Sequence, residues 1–535
     1  MRTADVLARR LYAAGCRFAF GMPGGEVLTI LDALEKAGIK FILVKHENAA
    51  GFMAEGTYSR TGAPGILVAT LGPGVANAAN VIANADQDRV PLIVLTGCVD
   101  EDEIHSYTHQ IFDHKALLGP ITRATFTLSA PSADVIVDKA INIAMAARPG
   151  PVHIDVPISV AVQEVKTDGN ILVTPSAKTA PAPGKELETA RQWLTEAQRP
   201  VMIVGVDVIN ERSEETVRKF ATKHKIPVLT TYKAKGVMPE DLPLALGGIG
   251  LSPVADGELV KLVEEADLII CAGYDPIEMR PGWQNAWDVE TQHVIDITAT
   301  PNTHYMHRAG ISFVCNIAAG LDALSRDNDT QPTWPLTRFD NAKANLREAF
   351  KVDEDWGPAA IVETVRQNLP RKGIAAVDTG AHRILASNVW QSYEAGGLLQ
   401  STGLCTMGCG LPLAMGAKLA KPDRPVVVFS GDAGLLMCLG ELATAAELKL
   451  AIPIVVFVDA SLALIEIKQR GRQLKNAGVD FGVVDFAATG KALGGHGITV
   501  TTREDLGKSI KSALIAETFT VIACPIDRQT YDGRL

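Results

Sequence analysis

Short apolar runs rich in Val, Ile and Leu recur along the chain, for example at 41–44, 65–70, 92–96, 201–204, 268–271, 426–429 and 454–458. Between them apolar positions fall at helical spacing, so the pattern predicts buried strands that alternate with helices covering both faces of parallel sheets. Two stretches break the rhythm: residues 167–184 are rich in Pro, Ala, Thr and Lys without periodicity, and residues 326–334 read Arg-Asp-Asn-Asp-Thr-Gln-Pro-Thr-Trp. Both read as linkers. They divide the chain into three consecutive parallel-sheet α/β domains, expected at 1–165, 186–325 and 355–535. Ligands of such sheets gather at the carboxyl ends of the strands, and chemistry is expected there.

Composition narrows the partners. Of 535 residues, 47% are apolar and 21% charged, the balance of a globular chain that can bury several cores. Lys plus Arg is 51 against 61 Asp plus Glu, a net charge of -10 with no Lys/Arg block, which excludes nucleic acid as an expected partner. The eight cysteines lie mostly singly in apolar runs, and the one close pair, Cys405 and Cys409, lacks the CxxC spacing of metal and redox sites. They read as buried thiols in a reducing compartment. The amino terminus reads as an amphipathic helix, and the apolar runs fall far short of the ~20 residues that cross a bilayer. No membrane association and a cytoplasmic location are expected.

The third domain carries the densest chemistry. The run 426–430 ends in Gly431-Asp432-Ala433-Gly434, residues 435–450 read as a helix, and the next strand ends at Asp459, 27 residues after Asp432. That spacing accommodates a turn, a helix and a parallel strand, so both carboxylates emerge on one edge. Two such carboxylates can share a hard cation with a phosphate, for which Mg²⁺ fits best, while Gly431 and Gly434 let backbone approach a diphosphate. On spacing alone the two aspartates are equally readable as separate helix caps. In the first domain, strand 41–44 runs into Lys45-His46-Glu47 and a helix of small residues, which buries Glu47 at a strand-to-helix junction.

Gly431-Asp432-Ala433 with a further oxygen ligand 27 residues on resembles the thiamin-diphosphate motif of the acetolactate synthase and pyruvate decarboxylase superfamily. Residues 401–412, Ser-Thr-Gly-Leu-Cys-Thr-Met-Gly-Cys-Gly-Leu-Pro, resemble the Gly-Leu-Gly-Thr-Met-Gly-x-Gly-Leu-Pro segment of acetolactate synthases, and Asp378-Thr379-Gly380-Ala381-His382 resembles their diphosphate-contacting Gly-Gln-His turn. The resemblance implies thiamin diphosphate and Mg²⁺ as cofactors. It makes Asp432, Asp459 and the Ser461 carbonyl the metal ligands, and Met407 the support of the bent cofactor. Gly380, Ala381, His382, Gly403, Gly431, Asp432, Ala433, Gly434, Asp459 and Ser461 would line the cofactor site. It makes Glu47 the acid that hydrogen-bonds the aminopyrimidine ring, with His46 and Gln110 as further catalytic candidates. His109 and His114 are extra histidines near Gln110, readable as acid/base groups or as solvent-facing loop residues.

The chain departs from the family at Asp459, where most members carry asparagine, at Ala381, where glutamine is usual, and at Gly434, where serine is common. The middle domain has no GxGxxG fingerprint. Its Gly273-Tyr274-Asp275-Pro276-Ile277-Glu278 resembles flavin-independent catabolic acetolactate synthases, so FAD is not expected. The implied reaction is decarboxylation of a 2-oxo acid followed by carboligation, with simple decarboxylase, other lyase or oxidase chemistry as the alternative. The implied assembly is a homodimer or homotetramer, because the cofactor bridges the first and third domains of different subunits.

Overall fold

The computed structural model describes residues 1–166, 177–277, 279–326 and 329–535. Parts of both predicted linkers, at 167–176 and 327–328, and Glu278 of the middle-domain motif lie outside the described residues. Among the described residues, eighteen strands form three six-stranded sheets, and every neighbour pairs in parallel.

From edge to edge the first sheet runs Lys40–Leu43, Phe18–Met22, Gly65–Ala69, Leu92–Cys98, Pro151–Pro157 and Ala124–Thr127. The third runs Leu398–Gln400, Ile374–Val377, Val426–Gly431, Pro453–Val458, Thr520–Pro525 and His496–Thr499. Both have the order 2-1-3-4-6-5 when strands are numbered within the sheet. The middle sheet runs Ala245–Gly248, Val228–Thr230, Pro200–Val204, Leu268–Ala272, His293–Thr298 and Ile311–Val314, the order 3-2-1-4-5-6. Helices on both faces bury the central strands at every residue, which is why these segments read as continuous apolar runs rather than alternating ones.

The first and third sheets are held together by helices Glu47–Thr61 and Gly410–Ala420, which cross with backbone in contact. A Cβ on Gly56 would lie 2.3 Å from the Leu413 carbonyl oxygen, and one on Gly416 would lie 2.0 Å from that of Met53. The small residues after Glu47 thus serve a helix–helix contact between the outer units. All three units meet at a buried charge set: Lys233 Nζ lies 3.1 Å from Glu55 and 3.0 Å from Asp88, and Asp88 also accepts the backbone N–H groups of Thr402 and Gly403.

Residues 326–334 are not a slack linker over their described part. The Thr330 hydroxyl donates to the Leu194 carbonyl at 2.9 Å and the Trp334 indole to that of Pro200 at 2.9 Å, which ties this stretch to the middle unit. The helix Leu336–Ala349 continues along that unit, with Phe339 and Ala342 in its core and Arg338 paired to Glu258 and Glu265.

Candidate active site

In the third sheet, strand Val426–Gly431 lies beside Pro453–Val458 with Gly431 opposite Phe457, so Asp432 and Asp459 follow adjacent strand ends. The Asp432 carboxylate accepts the N–H groups of Ala433 at 2.8 Å, Asp459 at 3.1 Å and Ala460 at 2.7 Å. Asp459 accepts the Ser461 N–H at 3.0 Å across Ala460, whose φ of 53° turns the chain back there. The Ser461 hydroxyl donates to Asp480, which is also paired with Arg528. Burial raises the Asp432 carboxyl, and burial together with repulsion from Asp432 pushes Asp459 up to about 7. Two crowded carboxylates with nearby carbonyl oxygen form an all-oxygen donor set, which suits a hard divalent cation.

Gly380 precedes helix Ala381–Val389 and leaves room for His382, whose ring stacks on Phe457 at 5.3 Å between centroids. Burial pushes His382 down to about 3, so the ring is neutral, and its buried Nε2 has no hydrogen-bond partner. A Cβ on Gly431 would lie 3.1 Å from this ring. A turn bare of side chains beside an unpartnered buried nitrogen and two carboxylates fits a metal-bound diphosphate. Gly434 makes room for something else: a Cβ there would lie 1.8 Å from Asp378 Oδ2. Asp378 is itself buried and accepts the Cys409 N–H at 3.0 Å and the Ser430 hydroxyl at 3.2 Å, which ties together the strand ends that present the turns.

The segment 401–408 packs between units. The Gly403 N–H donates to Asp88 at 2.7 Å, and Gly408, at φ 80°, would place a Cβ 3.3 Å from that of Met437. Met407 is half-buried. Beside Asp432, a shallow apolar hollow of about 610 Å³ is lined by Ala433, Leu436, Met437, Phe481, Val483 and Val484, with Met437 63% and Val483 81% exposed. The helix expected over 435–450 is two short ones, Asp432–Met437 and Glu441–Glu447, broken around Gly440. The break sends Glu441 to the first unit, where its Oε1 accepts the N–H groups of Lys45 at 2.8 Å and His46 at 3.1 Å.

There the His46 ring caps helix Glu47–Thr61 by accepting the Asn48 N–H on Nδ1, and it is otherwise exposed. Glu47 is only 4% exposed. Its Oε2 accepts the Asn77 amide at 3.0 Å, while Oε1 faces Gly74, where a Cβ would stand 3.4 Å away. Gln110 has an exposed side chain and lines a cleft of about 1160 Å³ together with Leu71, Cys98, His114 and Asp155. His109 is exposed, but His114 is buried and not a solvent-facing residue. Of the cysteines, Cys98 and Cys405 are only partly buried, against the expectation of uniform burial, and all eight are free thiols. Within one chain the cleft beside Gln110 is walled by first-unit residues and the hollow beside Asp432 by third-unit residues.

Sequence reasoning missed Glu441, Asp378, Lys233 and Asp155. Asp378 stood inside a recognised motif without a role, while the others carry no local signature.

Comparison with known proteins matches the three units in chain order. Residues 1–117 match the family described as thiamine pyrophosphate enzyme, N-terminal TPP binding domain; residues 187–324 match its central domain, and 378–524 its C-terminal TPP binding domain. The acetolactate synthase of Bacillus subtilis (strain 168) is 30% identical over 98% of this chain and 93% of its own length. A catabolic acetolactate synthase of Raoultella terrigena is 28% identical over 98% and 95%, and the acetolactate synthase isozyme 1 large subunit of Escherichia coli (strain K12) is 31% identical over 87% and 83%. With three matched domains in chain order on three parallel sheets, and with relatives aligned along nearly its full length, the chain belongs to the thiamine pyrophosphate enzyme family.

Proposed function

We propose that this thiamin-diphosphate-dependent enzyme decarboxylates a 2-oxo acid and joins the retained fragment to a second carbonyl compound, the acetolactate-synthase type of reaction. The observation that carries the reading is the convergence at adjacent strand ends of Asp432, Asp459 and His382, whose buried Nε2 has no partner. In this reading Asp432, Asp459 and the Ser461 carbonyl hold Mg²⁺. Gly380, Ala381, His382, Gly431 and Ala433 receive the diphosphate, Gly434 serves by admitting Asp378, and Gly403 and Met407 belong to the wall around the rings. When bound, thiamin diphosphate supplies an electron sink for the pair released as carbon dioxide leaves.

Glu47 presents Oε1, the oxygen left free by Asn77, in a buried setting where it can exchange a hydrogen bond with a ring nitrogen. His46 acts as the helix cap, and Gln110 lines the substrate side. Carboligation requires that water be kept from the reacting atoms. Flavin is not part of the proposal, because Gly273-Tyr274-Asp275-Pro276 resembles the flavin-independent acetolactate synthases.

A homodimer or homotetramer accounts for the exposed apolar hollow at Met437 and Val483. Free thiols suit a reducing cytoplasm, and no helix among the described residues is long and apolar enough to cross a membrane. The test is a panel of 2-oxo acids with thiamin diphosphate and Mg²⁺, with products identified by mass. Carbon–carbon-bonded products are expected, and Glu47→Gln should lower turnover at least a hundredfold with an unchanged melting profile. Free aldehyde alone, or an unaffected Glu47→Gln, would refute the assignment.

A further inference from the structure

We infer that His114 and Asp155 form a positioning pair that locks the turn at Gly72 and the Gln110 segment together, and so sets the substrate side of the active site; this rests on the function proposed above. His114 opens helix His114–Leu118, and Asp155 lies on strand Pro151–Pro157 in register with Thr96 of the neighbouring strand.

His114, His153 and Asp155 are buried, and their ligand atoms lie within 4.8 Å of one another, which invites a metal-site reading. The protons argue otherwise. The Gly72 N–H points at His114 Nε2 at 3.2 Å, so that nitrogen must be bare. The ring proton is therefore on Nδ1, from which it is donated to Asp155 Oδ1 at 2.8 Å. The Thr96 hydroxyl donates to the same oxygen at 2.6 Å, which leaves its own oxygen to accept from His153 Nε2 at 2.7 Å. A cation on His114 Nδ1 would drive the proton to Nε2, against the Gly72 N–H. Burial pushes Asp155 up, but the hydrogen bonds from His114, His153 and Thr96 outweigh it and hold the carboxyl below the usual range. The His114 proton has one place, and the donors run from the Gly72 N–H through the His114 ring to the Asp155 carboxylate.

That amide belongs to a turn with two tasks. Gly72 has φ 66°, and a Cβ on it would lie 2.3 Å from the Gln110 carbonyl oxygen. Gln110 also has positive φ, at 59°, a conformation that persists in a non-glycine residue only when its surroundings hold it. The turn thus grips the 110–114 segment at both ends, Gln110 through van der Waals contact and His114 through the hydrogen bond. Past the turn, helix Pro73–Gln87 presents Gly74 and Asn77 to Glu47. A ring with one donor and one acceptor on different edges can connect a strand carboxylate to that turn, whereas a loop asparagine or leucine would not span it.

The test uses the full chain loaded with thiamin diphosphate and Mg²⁺, with His114→Phe, His114→Gln and Asp155→Asn. For His114→Phe we expect KM for the 2-oxo acid to rise at least tenfold, amide hydrogen exchange across residues 70–77 and 108–114 to rise at least tenfold, and proton exchange at the thiazolium carbon to stay within twofold of wild type. His114→Gln, which keeps an acceptor and a donor, should recover part of the loss in KM. Asp155→Asn, which keeps Oδ1 as an acceptor, should fall between and covers the case in which the phenylalanine variant does not fold. Unchanged KM and amide exchange in His114→Phe would overturn the inference, as would slowed thiazolium exchange, which would place the effect on Glu47, or one equivalent of transition metal in the purified protein. A wild type that turned over no 2-oxo acid would refute the proposed function instead, while amide exchange would still decide the pair.

Discussion

Asp459→Asn is the sharpest test of the proposed metal site, because it changes one charge with almost no change of shape. Asp459 stands on a partly buried strand edge beside Asp432, and burial and that neighbour push it up to about 7. A carboxyl moved from near 3.9 to about 7 carries roughly 4 kcal/mol of unfavourable environment when ionised, at 1.36 kcal/mol per tenfold. Screening at the partly exposed edge reduces this to about 2 kcal/mol. At pH 8 the ionised Asp459 also faces the incoming diphosphate, and only a cation offsets that repulsion. Without metal, removing this ion–ion repulsion, worth about 2 kcal/mol at a partly exposed site, should let the asparagine variant bind thiamin diphosphate roughly thirtyfold more tightly than wild type. With Mg²⁺ the two should agree within about threefold, and the variant should bind Mn²⁺ about tenfold more weakly in the absence of cofactor. Isothermal titration of the full chain in chelator and in Mg²⁺ measures all three. Equal affinity of wild type and variant in chelator would refute the assignment of Asp459 to the metal site.

Three further outcomes are expected. Lys233→Met leaves Glu55 and Asp88 buried without their cation and should lower unfolding stability by about 3 to 5 kcal/mol in urea, whereas a loss under 1 kcal/mol would show that the three-unit junction does not depend on the charge. Gly416→Val meets the Met53 carbonyl, which cannot move cheaply, and should cost about 3 kcal/mol or more; Gly471→Ala, in open space, should be near neutral in the same assay. Asp296 is raised to about 6 by burial, so the folded chain holds a proton there that the unfolded chain releases near pH 4. Its contribution therefore falls as pH rises from about 4 to about 6 and is level above, by about 3 kcal/mol in all. Asp296→Asn should remove that slope from the difference in urea midpoints between pH 4.5 and 7, and parallel curves would refute the assignment.

Much of this protein was legible along the chain. The apolar runs located the central strands to within a residue or two, since strands buried on both faces cannot alternate. The 27-residue step from Asp432 to Asp459 placed two carboxylates on one sheet edge, because turn, helix and strand lengths are set by backbone geometry. Glu47 followed from its strand-to-helix junction. Each of these signals is local: it depends on periodicity or on turn chemistry within about thirty residues.

Only the tertiary structure decided the rest. Glu441 reaches the amide of His46 across 395 residues, Asp88 takes the N–H of Thr402 across 314, and His114 meets Asp155 across 41. No spacing rule connects such residues, because their partnership is set by how closely two glycine-faced helices approach and by which strand lies beside which. The sequence by itself determined the sheets, the strand-end carboxylates and the buried acid. Packing determined which polar groups those elements bring within reach of one another, because a buried donor or acceptor must find a partner in whatever three-dimensional neighbourhood the fold provides.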